Sequence, residues 1–298
     1  DSGDSWGNVT PPDMPPHTRV MVVEVSPHDP ATAYVAGIRY EMDDRAPYAW
    51  KTKDYGESWT RISGELPPGD FVRVIREDPN RRGLLYAGTE HGVHVSFDDG
   101  ANWSSLSLDL PDTPVTGLIV EDRDLVISTH GRSFWVLDDI ETLRQIDVEA
   151  TTSDVHLFEP ADAFRRSVPA VIDYYVSESG RNVRVDVLDA EGEFVRKLFE
   201  GAPAEGIHRA AWNLRYPGAA SFEGIVLEGG NPTVGPWAPP GRYLARVTVD
   251  GERWTQPFDV RRDPRLSEVT DADLVAQFEL ALEIRDSESS ANRSVLLV

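Results

Sequence analysis

The sequence predicts an all-β chain in which about three four-stranded blades of a β-propeller precede a β-sandwich and a short C-terminal helix. A six-residue turn motif recurs at the spacing of propeller blades, and the segments around it repeat as well. The second half of the chain instead alternates apolar and polar residues between turn signals, as strands of a sandwich do. The predicted divisions are blades over 1–145, a linker over 146–168, a sandwich over 169–263 and a helical segment over 264–298.

The recurring turn motif has the pattern Asp-x-Gly-x-(Ser/Asn)-Trp. Its copies begin at Asp1, Asp54 and Asp98, so that they start 53 and 44 residues apart, which indicates a repeat architecture. Strand-like runs flank both internal copies, and a hydroxyl residue stands two places before each Asp. In such a hairpin turn the Asp carboxylate accepts backbone N–H groups, the Gly supplies a positive φ, and the Trp packs on a neighbouring strand. The residues expected to hold these turns are Asp1, Gly3, Trp6, Thr52, Asp54, Gly56, Trp59, Ser96, Asp98, Gly100 and Trp103.

The segments around the turns repeat too, and residues 19–139 divide into three successive units. The run "TEHGVHVSFDD" (89–99) aligns without gaps on "THGRSFWVLDD" (129–139), with an offset of 40 residues. Four-stranded units of this length are typical propeller blades, although the third unit lacks an obvious fourth strand. Three and a fraction blades do not close a ring, because propellers have at least four. We therefore expect a fragment, or a ring that another chain completes.

The motif and its surroundings resemble a known family. The turns are similar to the Asp boxes, or BNR repeats, of bacterial sialidases, xyloglucan hydrolases and sortilin-type propellers. The stretches "GDFVRVIREDPNRRGLLYAGTEHGVHVSFDDGANW" (69–103) and "ISTHGRSFWVLDDIETLRQ" (127–145) resemble a large bacterial family of BNR-repeat glycosyl hydrolases with a sortilin-like propeller. The resemblance covers nearly the whole chain. It implies a secreted or periplasmic protein in which the Asp box is a folding device, away from any catalytic centre.

The second half predicts a sandwich of the immunoglobulin or fibronectin-III type. About seven strands are spaced over roughly 95 residues, as that class requires. The run "DDIETLRQI" (138–146) predicts a short helix capped by Asp138 or Asp139, and an extended linker follows it. At the far end, Thr270 and Asp273 have the spacing of a helix-capping box. The apolar stripe expected for that helix consists of Leu274, Phe278, Ala281 and Leu282.

Composition excludes several classes of function. The formal net charge of −22 disfavours nucleic acids and anionic membranes, which repel an acidic surface. The chain has no cysteine, so disulfides and thiolate zinc sites are excluded. No apolar run approaches the length that spans a membrane. His91 and His94 are three residues apart on one strand and therefore face opposite sides, which disfavours joint metal binding. We predict no metal and no cofactor.

Candidate catalytic residues come from the third unit, where it departs from the second. His130 and Arg132 replace Glu90 and Gly92, while the alignment places Asp138 and Asp139 on Asp98 and Asp99. These departures predict either that the third unit has acquired a function of its own or that it contacts the next domain. For Asp138 and Asp139 we favour helix capping over a role as acid and base. Arg39, Arg73 and Arg76 are expected to pair with the abundant acidic side chains.

Two hypotheses for function remain. The first is an extracytoplasmic propeller that acts on or binds glycans, and a glycosidase would require two positioned carboxylates. The alternative is a sortilin-like scaffold without catalysis that binds peptides or proteins. If the family is catalytic, it is a glycoside hydrolase of the BNR-repeat type, and this chain alone is expected to be inactive. A glycan site should show exposed aromatic side chains beside carboxylates, for which Tyr48, Trp50, Trp135 and Trp237 are the candidates.

Overall fold

The computed structural model describes residues 4–147, 150, 152–165, 169–225 and 231–295. The chain divides into two compact units, Asp1–Ile146 and Asp147–Val298. The predicted all-β fold, with blade-like antiparallel sheets, a β-sandwich and a C-terminal helix, is confirmed. No described helix is both long enough and apolar enough to span a membrane.

The first unit contains three stacked antiparallel sheets, one for each repeat of the sequence. The first sheet comprises β1 (Arg19–Val25), β2 (Ala33–Arg39), β3 (Asp44–Thr52) and β4 (Thr60–Arg61) in that order. The second comprises β5 (Val72–Glu77), β6 (Leu85–Thr89), β7 (Val93–Ser96) and β8 (Ser104–Ser105). The third comprises β9 (Val115–Glu121), β10 (Asp124–Thr129) and β11 (Phe134–Leu137), and the short helix α1 (Glu141–Gln145) follows it. We refer to these sheets as the first, second and third blades.

Apolar residues on both faces of the blades explain why the blades stack. One core cluster joins Ala36 and Ala49 of the first blade to Val72 and Ile75 of the second. The next cluster joins the second blade to the third in the same manner, and it includes Ile140 beside α1. Because both faces of the middle blade are covered, its two central strands β6 and β7 are buried at every position, polar residues included.

The second unit is a β-sandwich with a single core drawn from both of its sheets. One sheet has the order β12 (Val155–Leu157), β14 (Ala170–Val176), β17 (Gly206–Trp212). The other has the order β13 (Ala163–Phe164), β21 (Glu252–Arg261), β20 (Gly241–Val249), β15 (Val183–Asp189), β16 (Phe194–Gly201). A separate two-stranded sheet pairs β18 (Arg215–Pro217) with β19 (Val234–Trp237). The Tyr243 hydroxyl of β20 donates to the carbonyl of Pro239 over 3.1 Å, a tyrosine corner of the kind found in immunoglobulin-like sandwiches.

The predicted linker over 146–168 differs from the structure. Residues 155–157 and 163–164 form β12 and β13, which are strands of the sandwich. Val155 and Leu157 are buried in the sandwich core. The sequence missed them because strands of two or three residues show too few alternations to be separated from extended linker.

The C-terminal helix α2 (Asp271–Val295) is longer than the short helix that the sequence predicted, and it packs against the rest of its unit. The Phe278 ring lies 4.7 Å from that of Tyr216, and the Asn292 side chain donates to the carbonyl of Ala220. The capping box forms at its start, since Thr270 and Asp273 each accept the other's backbone N–H. Residues 264–298 therefore belong to the second unit, as far as they are described.

Candidate functional site

The Asp-box aspartates bind their own turns. Asp98 accepts the backbone N–H of Asn102 at 2.8 Å and the hydroxyl of Ser96 at 2.9 Å, and the Ser96 hydroxyl in turn accepts the N–H of Gly100. Burial alone would raise the pKa of Asp98, but hydrogen bonds from Asn102 and Ser96 hold it below its usual value. Asp54 makes the same bonds with Ser58 and Thr52, and these lower its pKa to about 2. Asp1 and Gly3 lie outside the described residues.

The tryptophan of each internal box binds a backbone carbonyl in the segment that precedes its blade. The Trp103 indole N–H donates to the carbonyl of Ile62 at 2.7 Å, and that of Trp59 donates to the carbonyl of Val9 at 2.8 Å. The box glycine makes this approach possible, because a Cβ built on Gly100 would lie 2.8 Å from the Cβ of Ile62. The two contacts are equivalent, and together they define how a box tryptophan binds the segment before its blade.

The third blade is out of register with the alignment of the sequence. Leu137 pairs with Leu125 in the third blade, and Ser96 pairs with Leu85 in the second. Leu137 therefore occupies the position at which the other two boxes have a hydroxyl residue. Asp139 consequently takes the place of Asp98, and the alignment of Asp138 with Asp98 is wrong. The reason is a longer hairpin between the second and third strands of the blade. It closes from Thr129 to Ser133, whereas its counterpart closes from Thr89 to Gly92.

The candidate catalytic residues lie at opposite ends of β11. His130 and Arg132 are exposed in the hairpin before the strand, while Asp138 and Asp139 follow the strand. The four-residue strand β11, a span of roughly 13 Å, lies between the two pairs of residues. The structure therefore does not bring the four residues together in one site.

Asp139 takes part in the connection to α1. Its carboxylate accepts a guanidinium N–H of Arg123 at 2.7 Å and the backbone N–H of Glu141 at 3.4 Å. The N-cap residue of α1 is Ile140, so the prediction that Asp138 or Asp139 occupies the cap position is wrong. The arginines of the earlier blades are paired as expected, in the ion pairs Arg39–Asp44, Arg73–Glu90 and Arg76–Glu24.

Two of the aromatic candidates are buried and are not binding platforms. Tyr48 and Trp50 stack on each other in the core of the first blade, with only 7% and 0% of their surface exposed. Their polar atoms are satisfied within the blade, by Asp44 and Asp13 respectively. Trp237 is half-buried in the second unit under the guanidinium of Arg215, which lies 3.9 Å from its ring centroid.

A nearly buried His–Asp pair in the second blade escaped the sequence analysis. His94 Nε2 lies 3.0 Å from the Asp70 carboxylate, which also accepts the backbone N–H of His91. Burial raises the pKa of Asp70, but hydrogen bonds from His94, Thr89 and His91 outweigh burial and lower it. The pair fixes the loop before β5 onto β7. Within the described ranges, no three His, Asp or Glu side chains are grouped closely enough to hold a metal ion.

The outer edge of β11 corresponds to the fourth strand that the sequence of the third unit did not show. In the first two blades a short fourth strand covers the equivalent edge, pairing Trp50 with Arg61 and His94 with Ser105. By register, Trp135 takes the place of Trp50 and His94. No described strand pairs with β11 on that side. Its residues are accordingly exposed, at 74% for Phe134, 38% for Trp135 and 53% for Val136.

A cleft of about 260 Å³ lies beside this edge, between the second and third blades. It is lined by apolar residues of both blades, among them Leu106, Leu110, Leu125 and Ile127, and by Trp135. Leu106 is the counterpart of Ile62, the residue whose carbonyl binds the Trp103 indole. Between the first two blades, the equivalent position is filled by the side chain of the box tryptophan Trp103. The cleft is the same position between the second and third blades. We call it the indole slot.

Comparisons with known proteins found only distant similarities, to solved structures. No family model matches the chain, and no curated protein does. Among solved structures, a GH74 xyloglucanase from Xanthomonas campestris is 15% identical with a TM-score of 0.33, covering 80% of this chain and 38% of that one. An ancestral GH74 enzyme is 13% identical with a TM-score of 0.34, covering 81% and 35%. The extracellular domain of a putative hybrid two-component system from B. thetaiotaomicron is 9% identical with a TM-score of 0.29, covering 78% and 30%.

This chain spans about a third of the length of each of these three structures. At such identities and TM-scores, the similarity assigns neither an activity nor a substrate to this chain.

Proposed function

We propose that this chain is part of an extracytoplasmic, sortilin-like Asp-box propeller that binds an extended peptide segment along β11. The peptide adds a fourth strand to the third blade and inserts a tryptophan into the indole slot. The observation that carries the proposal is the cleft itself, open beside a strand edge that a fourth strand covers in both other blades. Strand addition of this kind obtains affinity from main-chain hydrogen bonds and specificity from side-chain pockets.

The repeats of the chain supply the sequence that such a peptide should have. The covering strands read Trp59-Thr60-Arg61-Ile62 in the first blade and Trp103-Ser104-Ser105-Leu106 in the second. In each, the tryptophan binds the segment that precedes its blade, and the aliphatic residue is bound through its N–H, to the carbonyl of Ala49 or of Val93. The ligand class is therefore an extended segment with the pattern Trp-x-x-aliphatic.

The register of the bound segment follows from the other blades. Trp135 should lie opposite the third residue of the pattern and Val136 opposite the second. The N–H of the aliphatic residue should donate to the carbonyl of Phe134, the counterpart of Val93. Residues of one strand alternate in direction, so Val136 also presents its N–H to the added strand.

Glycan binding is the second candidate function, and one observation favours it. Trp135 and Asp109 both line the slot, and an exposed indole beside a carboxylate is the arrangement expected of a glycan site. This candidate accords with the resemblance to glycosyl hydrolases. It requires no catalysis, in keeping with the separation of His130 and Arg132 from Asp138 and Asp139.

A titration with synthetic peptides tests the proposal. The probe is the peptide Ala-Asn-Trp-Ser-Ser-Leu-Ser, which copies residues 101–107, and its control carries Ala in place of Trp. Burying an indole of about 150–250 Å² at about 25 cal/mol per Å² predicts at least a hundredfold weaker binding of the control.

On the protein side, Val136→Pro removes the outward N–H of β11, while Val136→Thr retains it. We expect the first variant to bind the probe at least about tenfold more weakly than the second. Equal binding of the two peptides, or no binding of either, would contradict the proposal. Binding of a xyloglucan oligosaccharide at Trp135 without peptide binding would favour the glycan candidate instead.

A further inference from the structure

The hairpin before β11 carries a positive charge at a position that all three blades share. Arg132 lies three residues before Trp135. By strand register, the residue at the same position is His91 in the second blade and Pro47 in the first. The longer hairpin of the third blade explains why the sequence alignment placed Arg132 on Gly92 instead. Only the third blade therefore has an arginine at this position.

In both earlier blades, the chain that continues from the fourth strand binds this position. His91 Nδ1 lies 2.9 Å from the carboxylate of Asp112, in the segment that follows β8. The hydrogen bond with this carboxylate raises the pKa of His91. In the first blade, the hydroxyl of Ser63, directly after the strand segment of β4, donates to the carbonyl of Pro47 at 2.8 Å. The segment after a covering strand thus returns to the same hairpin position in each case.

Arg132 is free to make a contact of the same kind. Its backbone is held in place, because its N–H donates to the Thr129 hydroxyl at 3.0 Å and its carbonyl accepts the Trp135 indole N–H at 2.9 Å. Its side chain is exposed, and among the residues that the structure describes its guanidinium has no ion-pair partner. The hairpin itself, residues 129–133, contains no acidic residue that would neutralise the charge.

The direction of the added strand brings the rest of the ligand to this hairpin. β8 is antiparallel to β7, and a peptide bound in the same manner is antiparallel to β11. The residues that follow its Trp-x-x-aliphatic pattern therefore lie beyond Phe134, on the side of Arg132. In the second blade, the residue that binds the hairpin is Asp112, six positions after the aliphatic residue Leu106.

We infer that the Arg132 guanidinium binds a side-chain carboxylate of the peptide, from an Asp or Glu about six residues after the aliphatic residue of the pattern. This inference rests on the proposed function, because it names a further feature of the ligand of the same site. A guanidinium is always charged in proteins, and it can donate to both oxygens of one carboxylate. Arg132 is therefore a stronger partner for an acidic side chain than the imidazole of His91.

The net charge of the chain makes this selectivity depend on a local contact. At −22 the chain as a whole repels an acidic ligand. Charges further away than about 8–10 Å are largely screened at physiological ionic strength, whereas a contacting pair is not. A preference for an acidic side chain under those conditions must therefore come from a cation beside the bound peptide, such as Arg132.

Calorimetric titration of the full chain with two longer peptides tests the inference. The probe copies residues 101–113, and its control has Asn at the position copied from Asp112. Both carry a C-terminal amide, so that a terminal carboxylate cannot replace the side chain. At physiological ionic strength we expect the probe to bind about threefold to fivefold more tightly than the control, as an exposed ion pair provides.

The protein variants show whether Arg132 causes this preference. Arg132→Gln keeps the backbone contacts and removes the charge, so it should bind the two peptides equally. Arg45→Gln removes the same charge from an exposed position of β3 and should keep the preference. Equal binding of both peptides to the unmodified chain, or a preference that Arg132→Gln retains, would overturn the inference while the proposed function stands. If neither peptide binds, both fail.

Discussion

At the scale of single residues, Asp54 and Asp98 of the repeated motif bind groups of their own turns. Asp98 accepts two hydrogen bonds from Asn102 within its own turn, one from the backbone N–H and one from the side-chain amide. Asp98→Ala should therefore destabilise the chain by about 1–2 kcal/mol, because the turn loses its acceptor. Urea unfolding of the variant measures this. The control Glu65→Ala, at an exposed position outside a box, should stay within about 0.5 kcal/mol of the unmodified chain. A reversed order of the two variants would contradict the assignment.

The lowered pKa of Asp54 makes the stability of its turn depend on pH. Hydrogen bonds from the Ser58 hydroxyl and N–H and from Thr52 hold the carboxylate ionised, with a pKa of about 2 against an ordinary value of 3.8. A lowered folded-state pKa stabilises the fold above pH 3.8, and this contribution is lost as the pH falls towards 2. The stability difference between the unmodified chain and Asp54→Asn should accordingly shrink over that interval. Thermal unfolding of both proteins at pH 2 to 6 measures it, and a constant difference would refute the prediction.

At the scale of elements, a buried ion pair anchors α1 on the second blade. Arg144 donates to the fully buried Asp78 carboxylate, which also accepts the backbone N–H groups of Asn80 and Arg81. Arg144→Ala should cost about 3–5 kcal/mol, since it leaves a buried carboxylate without its cation. Glu121→Ala, at an exposed position of the third blade, provides the control and should change stability by less than about 0.5 kcal/mol. Denaturant unfolding of the two variants tests this, and equal stabilities would show that the pair is not an anchor.

The start of α2 depends on its capping box. The Thr270 hydroxyl accepts the N–H of Asp273, and the Asp273 carboxylate accepts the N–H of Thr270. Thr270→Ala should cost about 1 kcal/mol, whereas Thr270→Ser retains the acceptor and most of the stability. Hydrogen exchange in residues 271–275 should rise in the Ala variant alone. Unchanged exchange there would show that packing, rather than the cap, determines where the helix begins.

The sequence predicted most of these elements, and its errors have specific physical causes. The repeat of Asp, Gly and Trp identified the box turns, since each residue type has one geometric task there. The sequence alignment of the third blade on the second is wrong by one residue at β11, because the hairpin before β11 is one residue longer. The two adjacent aspartates Asp138 and Asp139 conceal this shift, since either can be aligned with Asp98. Tyr48 and Trp50 were expected at a surface, yet strands buried on both faces have no polar alternation from which to identify an exposed side. The slot escaped prediction because its walls come from two blades.

At the scale of the whole molecule, the candidate site arises where the repeat is interrupted. Stacked blades are held by a recurring set of contacts, namely an indole against the preceding blade and a short fourth strand on the edge. In the third blade the chain continues into α1 after β11, and the slot beside Leu106 and Trp135 is open. In the first two blades, a short fourth strand covers the equivalent surface. The third blade is therefore suited to binding an extended segment with a similar sequence.

Hydrogen–deuterium exchange of β11 shows whether a peptide binds along this edge. The amides of Phe134 and Val136 face the proposed added strand, whereas that of Trp135 faces β10. With the peptide copying residues 101–107, we expect slower exchange at Phe134 and Val136 and no change at Trp135. Its Trp-to-Ala counterpart should leave all three unchanged. Protection that is absent from β11, or equal with both peptides, would contradict the claim that this edge and its slot form the binding site.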